Sequence, residues 1–289
     1  HNLDVDEGGP MTSVELLAPN QLQQHGSISW WDSASECTLT IAEPMAAPEL
    51  FAEYHGGAVA SYARFGVGAA IDGDTARCAD DTALFWAMTD TDGRVVGGIR
   101  TKGPLTCPDE SHAVVEWEGR PGEAAVRSMI ADRIPSGVVE MKAAWMRDDA
   151  ARNPNRAKLL ARSGFHLITV LGVDFFMATS AAHTLERWRS SGGVVAPIPA
   201  TPYPDERYQT KMMWWDRRTF TVHGEPAQVA SIIVEMAQVR RRQGLDDHGR
   251  HLCGPDPRGL TPRVRGAMSS HRTRVSQPRY AREDWQPGV

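Results

Sequence analysis

The chain has 289 residues, 41% of them hydrophobic and 23% charged, with a formal net charge of -5; this is ordinary globular usage, with enough apolar content to bury a sizeable core in one large domain or two small ones. The negative balance argues against a generic nucleic-acid binder. The four cysteines, Cys37, Cys78, Cys107 and Cys253, form no CxxC pair, so neither a zinc ribbon nor a disulfide framework is implied, and no apolar run approaches the roughly 18 residues of a membrane helix.

A reducing, cytoplasmic setting without membrane attachment is therefore expected. Residues 1–10 precede a methionine and read as a cloning remnant outside the fold. Residues 11–48 are polar, with one short alternation at 38–41 that suits a strand. Residues 49–65 carry Leu50, Phe51, Tyr54, Val59, Tyr62 and Phe65 at helical spacing, interrupted by Gly56 and Gly57, which predicts two short helices or one broken helix. The apolar runs 82–89 and 94–100, joined by a turn ending in Asp92 and Gly93, predict a β-hairpin, because Asp-Gly readily adopts the positive φ angles such turns require. A short strand is expected at 114–118. An amphipathic helix is expected at 122–134, where Val126, Met129, Ile130 and Ile134 share a face.

Residues 138–146 then read as a strand, 156–171 as a helix and 173–179 as a strand. Ser180 is placed to cap a helix running to residue 190, which Gly192 and Gly193 terminate. A link containing Pro197, Pro199, Pro202 and Pro204 leads to a last strand at 208–215, and 224–243 reads as an amphipathic helix with Pro226 in its first turn.

The segment around the 138–146 strand is the most informative. It carries an acid, Glu140, and leads through Arg147 and Arg152 to a helix that opens on Arg156; cations and a helix N-terminus together stabilise phosphate. Over residues 50–218 the order of elements resembles the GNAT acyltransferase superfamily, and within it the acyl-homoserine-lactone synthases and long-chain N-acyl amino acid synthases. The resemblance implies an α/β fold, a GNAT-like mixed, mostly antiparallel central sheet flanked by helices over residues 11–223, with a C-terminal helical and irregular extension at 224–289. The sequence departs from the family pattern at three points. Ala143 stands where those synthases place an arginine, the 147–155 loop lacks the usual glycines, and the helix expected at 180–190 has no tyrosine.

The resemblance further implies an N-acyltransferase that moves an acyl group from an acyl-CoA or acyl-carrier-protein thioester to a primary amine of a small molecule, an amino acid being the preferred acceptor. Glu140 is the candidate for the proton acceptor, its other reading being a structural acid paired with a nearby cation. Main-chain groups of Ala144, Trp145 and Met146, with Arg147, Arg152 and Arg156, are the candidates for holding the thioester. Arg64, Arg77, Arg94 and Arg100 are the candidates for an acceptor carboxylate, with Arg64 and Arg100 the best placed by analogy. His112 and His183 carry acid-base chemistry but read first as packing or surface residues, and Trp117, Trp145, Trp188, Trp214 and Trp215 read first as core. The donor atoms of His248, His251 and Cys253 have no matched second pair, so no metal is expected.

Beyond the last helix the chain is rich in Arg, Pro, Gly and Ser. Its arginines suit the acidic surface of an acyl carrier protein, a nucleic-acid backbone, or the body of a second copy in a homodimer; packing on a subunit is the expectation. The alternative to an enzyme is a catalytically inactive GNAT-like binding or scaffold subunit. Decarboxylation or cyclisation of an acyl group on the same scaffold also stays open.

Overall fold

A computed structural model describes residues 26–148 and 153–244. Among them, nine strands form one sheet in the order β1-β2-β3-β4-β5-β6-β9-β7, with β8 paired to β9. The strands are β1 (Ser27–Asp32), β2 (Cys37–Ala42), β3 (Leu84–Thr89), β4 (Val95–Lys102), β5 (Val138–Met146), β6 (Phe175–Ala181), β7 (Val194–Val195), β8 (Thr201–Pro202) and β9 (Gln209–Asp216). Every pairing is antiparallel except β5 with β6, so the mixed, mostly antiparallel sheet is what forms. The predicted hairpin is β3–β4, and Gly93 at its turn has φ +80°.

Successive residues of a strand face opposite sides of a sheet, and the helices divide accordingly. Helix α1 (Pro48–Arg64) lies on one face, where Phe51 and Tyr54 pack on Phe85 of β3. Helix α5 (Pro154–Leu171) lies on the other, with His166 against Trp86. Between them in the chain come α2 (Thr75–Asp80), α3 (His112–Glu116) and α4 (Glu123–Arg133). After β6 come α6 (Leu185–Arg189), α7 (Phe220–His223) and α8 (Pro226–Arg242). Helix α8 buries Ile232, Met236 and Val239 in the same core as Leu159, Phe165 and Ile168 of α5.

Three local expectations are corrected. Helix α1 is continuous, because a helix tolerates glycine at about 1 kcal/mol each and Gly57 does something a larger residue cannot: a Cβ there would lie 2.1 Å from the Trp145 ring. Residues 112–116 form a helix and not a strand, since Ser111 accepts from the Ala113 N–H and the Glu140 carboxylate takes the N–H groups of His112 and Ala113. Ser180 lies within strand β6 and bonds to Thr184, and the α-helix that follows is short and begins only at Leu185. Strand β1 was not expected; it forms with β2 as an antiparallel partner along its whole length. The expectations for residues 1–25, for Arg152, for His248, His251 and Cys253, and for the arginine-rich tail lie outside the described residues.

The two adjacent glycines make a paired prediction. Nothing lies within 4 Å of a Cβ at Gly56, so Gly56→Ala is expected to stabilise the fold by about 0.5–1 kcal/mol. Gly57→Ala is expected to destabilise it, because overpacking against the Trp145 ring costs about 1–3 kcal/mol and outweighs the same helix gain. Denaturant midpoints of the two variants moving in the same direction would refute this account of the helix.

Candidate functional site

Strands β5 and β6 pair in parallel through Val138, Val139 and Glu140. Beyond that point β6 continues against β9 and β5 continues against β4, so the two part company and leave a slot in the middle of the sheet. A local irregularity accompanies the divergence: the steps from Gly98 to Arg100 on β4 oppose those from Trp145 to Lys142 on β5, which therefore carries one residue more. Ala143 sits in this bulge at φ +53°, an uncommon conformation for a residue with a Cβ, and its carbonyl accepts from the Tyr54 hydroxyl at 2.9 Å.

A cavity of about 200 Å³ occupies the slot. On the α5 side it is apolar, walled by Leu160, Ala161, Phe176, Trp188 and Trp215. A Cβ on Gly164 of α5 would lie 2.6 Å from the Phe176 ring, so glycine at this position lets the helix come close to β6. On the α1 and α3 side the lining is polar: Arg100, Lys102, Asp81, Lys142, His112 and Glu116.

The centre of the polar end is Glu116, whose side chain is 2% exposed. Its Oε1 is bonded by His112 Nδ1 at 3.0 Å and by the Thr179 hydroxyl of β6 at 2.9 Å, while Oε2 is buried with no hydrogen-bond partner among the described residues. Burial pushes the Glu116 carboxyl above the usual range, and the His112 hydrogen bond offsets only part of that. Burial likewise pushes the Lys142 ammonium down, against the pull of Glu140 and Glu116. His112 is anchored from its other side by the Tyr203 hydroxyl, 3.3 Å from Nε2. An acid with a raised pKa and an unpartnered oxygen is suited to accepting a proton.

The sequence-derived candidates are distributed over several places. Arg100, Ala144 and His112 line the cavity. Glu140 lies just behind it with both carboxylate oxygens accepting from the first turn of α3. Arg100 is buried and holds Asp81 and Thr82 through Nη1. Trp145, Met146, Arg147 and Arg64 line a separate hollow of about 600 Å³ at the end of β5, where Arg64 pairs with Asp148. Arg156 donates from Nε to the Ser35 carbonyl at 2.9 Å, and Asn153 and Asn155 both donate to the Ala34 carbonyl, so the β1–β2 turn rests against the start of α5. Trp188 and Trp215 line the cavity, whereas Trp117 and Trp214 belong to the core beside α4. His183 is exposed, near Tyr208.

Glu116, Thr179 and Tyr203 were not singled out from the sequence. The available signal was the spacing of His112 and Glu116, which meet only on a helix; assigning residues 114–118 to a strand concealed it. Among the described residues no helix is long and apolar enough to cross a membrane, and no group of three or more His, Cys, Asp or Glu side chains is arranged to hold a metal ion.

Solved structures with similar chain traces include FeeM, an N-acyl amino acid synthase from uncultured soil microbes, at 14% identity and a TM-score of 0.47 over 70% of this chain and 96% of that one. BjaI, a CoA-dependent acyl-homoserine lactone synthase solved with SAM and isopentyl-CoA, gives 14% identity and a TM-score of 0.45 over 73% and 90%. Likenesses at this level decide nothing about activity. No protein-family model matches the chain. In sequence, the uncharacterized protein Rv1356c of Mycobacterium tuberculosis and the uncharacterized protein Mb1391c of Mycobacterium bovis are each 48% identical to it over 234 residues, covering 80% of this chain and 89% of theirs. At that identity and coverage the chain belongs to the same protein family as these mycobacterial proteins.

Proposed function

We propose that the protein transfers an acyl group from an acyl thioester to the primary amine of a small molecule, with the reaction centred in the slot between β5 and β6. The observation that carries this reading is a cavity apolar at one end and polar at the other, opened by the divergence of the two strands beside a buried acid. The acyl chain occupies the apolar end. The thioester lies along the free edge of β5, near the main-chain groups of Ala144, Trp145 and Met146, and its arm leads toward the hollow lined by Arg64 and Arg147. The amine attacks the carbonyl carbon and the C–S bond breaks, while the one proton lost from the amine passes to Glu116 and from there to the departing thiolate, which leaves as the thiol and restores the carboxylate. Holding both reactants in one slot supplies the proximity term, which is worth several kcal/mol. Glu140 contributes by fixing the first turn of α3, which carries His112 and Glu116. Arg100 and Lys142 suit a carboxylate on the acceptor. An acyl-carrier-protein donor and a homodimer assembled through the C-terminal extension belong to the same proposal.

The cavity's size limits the acyl group. A dry cavity of about 150 Å³ accepts a benzene molecule, so about 200 Å³, part of it polar, suits an acyl body of roughly six carbons. Thiol release from a panel of acyl-CoA thioesters, with a panel of amino acids and other amines, tests both points. Turnover is expected to be greatest for short and medium chains, and Ala161→Leu is expected to reduce turnover of the longest accepted chain about tenfold, by filling space worth about 0.8 kcal/mol per CH₂. Trp188→Ala is expected to admit longer chains. Thioester binding without turnover in a folded sample would favour a binding or scaffold subunit, and neither binding nor turnover would end the acyl-transfer reading.

A further inference from the structure

Tyr203 touches neither wall of the slot, yet it is tied to the proposed proton acceptor through one intermediary. The link between β8 and β9 brings its hydroxyl to 3.3 Å from His112 Nε2, and the two rings meet edge to face with centroids 5.5 Å apart. The other imidazole nitrogen, Nδ1, is 3.0 Å from Glu116 Oε1. Each nitrogen of a neutral imidazole is either a donor or an acceptor, and the hydrogen bond made by one fixes the role of the other.

We propose that Tyr203 is a positioning residue: by donating its hydroxyl proton to His112 Nε2, it holds the imidazole in the tautomer that carries its proton on Nδ1, so that Glu116 always meets a donor. The proposal rests on the assignment of Glu116 as proton acceptor for its consequence in turnover, but not for the tautomer itself. For a neutral imidazole, two arrangements of protons are compatible with the distances. In the first, Tyr203 donates to Nε2, Nδ1–H donates to Oε1, and Glu116 is a carboxylate. In the second, Nε2–H donates to the tyrosine oxygen, Nδ1 accepts, and Glu116 must be protonated to supply the hydrogen between them.

The surroundings favour the first. The Thr179 hydroxyl already donates to Oε1, and two donors on one oxygen suit a carboxylate. Tyr203 keeps its proton, since burial and the nearby Glu116 and Glu140 carboxylates push its phenol up to about 12. The other charged and titratable groups around Glu116 are Lys142 and Glu140 on β5, Arg100 on β4 and Tyr62 on α1. The Tyr203 hydroxyl, as a donor to Nε2, adds to that preference, and removing it frees Nε2 to carry the proton instead.

The test begins with nitrogen NMR of the resting protein, which separates the two neutral tautomers of His112 without substrate. The wild type is expected to show the Nδ1–H form at pH 7.5 and Tyr203→Phe a loss of that preference. In thioester turnover, Tyr203→Phe is expected to move the acid limb of the pH–rate profile upward by roughly one pH unit, the worth of one hydrogen bond, with little change in KM. An Nε2–H tautomer in the wild type, or an unmoved tautomer and profile in a folded Tyr203→Phe, would overturn the proposal. A protein that turns over no thioester, but in which the tautomer responds as stated, would instead count against the acyl-transfer reading alone.

Discussion

Glu116→Gln is expected to lower thioester turnover by about a hundred- to ten-thousand-fold, the usual worth of a positioned general base, while leaving thioester binding nearly intact. Glutamine keeps the shape of the side chain and an oxygen that can still accept from the Thr179 hydroxyl and His112 Nδ1. What it removes is the lone pair of the buried, unpartnered Oε2 as a site for a proton. The pH dependence of the wild type follows from the same residue. Because burial raises the Glu116 carboxyl, the active carboxylate is present above that raised value, and activity is lost as pH falls through it. Glu140→Gln provides the contrast. Its carboxylate holds two N–H groups of α3, so the variant is expected to lose about 1–2 kcal/mol of stability, as a helix loses a cap, and less activity than Glu116→Gln. Stopped-assay thiol release with parallel binding measurements distinguishes these outcomes, and a Glu116→Gln enzyme with near-native turnover would remove the assignment.

Glu235→Ala is expected to be the most destabilising single change in the helical layer, at about 3–5 kcal/mol, because it leaves buried charge uncompensated. Glu235 of α8 accepts from Arg162 Nε at 2.7 Å and is bonded by His166 Nε2 at 2.8 Å, both on α5. The side chains of Arg162, His166 and Glu235 are 9%, 0% and 13% exposed. Burial alone would raise the Glu235 carboxyl, but the hydrogen bonds and charges of His166 and Arg162 hold it down at about 2, against an ordinary value of 4.5. A depressed folded-state pKa means that the network's stabilisation is fully present above about pH 4.5 and is lost as pH falls toward 2, a contribution on the order of 3 kcal/mol. Denaturant titrations at pH 7 and pH 2.5 are expected to show a large gap between wild type and variant at the first pH and a much smaller one at the second. An equal gap at both would show that the cost comes from packing and not from charge.

Much of the architecture was legible in the chain. The Asp-Gly turn marked the β3–β4 hairpin, the apolar run at 138–146 marked β5, and the element order that resembles the GNAT superfamily led to the mixed, mostly antiparallel sheet that is found. These features survive because they depend on local propensity and on patterns of period 2 or 3.6 within one segment. The misread segments are those where a distant residue changes the local balance. Gly57 belongs in a continuous helix because the Trp145 ring needs the space of its missing side chain. Residues 112–116 are helical because Glu140, far away in sequence, satisfies their first N–H groups.

The candidate site divides in the same way. The sequence by itself determined that an acid would lie on the central strand and that cations and tryptophans would be near it, since those identities are fixed by position in the chain. Only the tertiary structure decided which acid is at the slot. Glu140 is directed to the N-terminus of α3, and Glu116, one helical turn from His112, is left with a free oxygen at the polar end of the cavity. It also decided that the start of α5 meets the β1–β2 turn through Asn153, Asn155 and Arg156, and that Tyr203 comes to rest on His112. The physical reason is that the pKa and the hydrogen-bonding role of a titratable group depend on burial and on partners brought from other elements, and no pattern within a single segment records either.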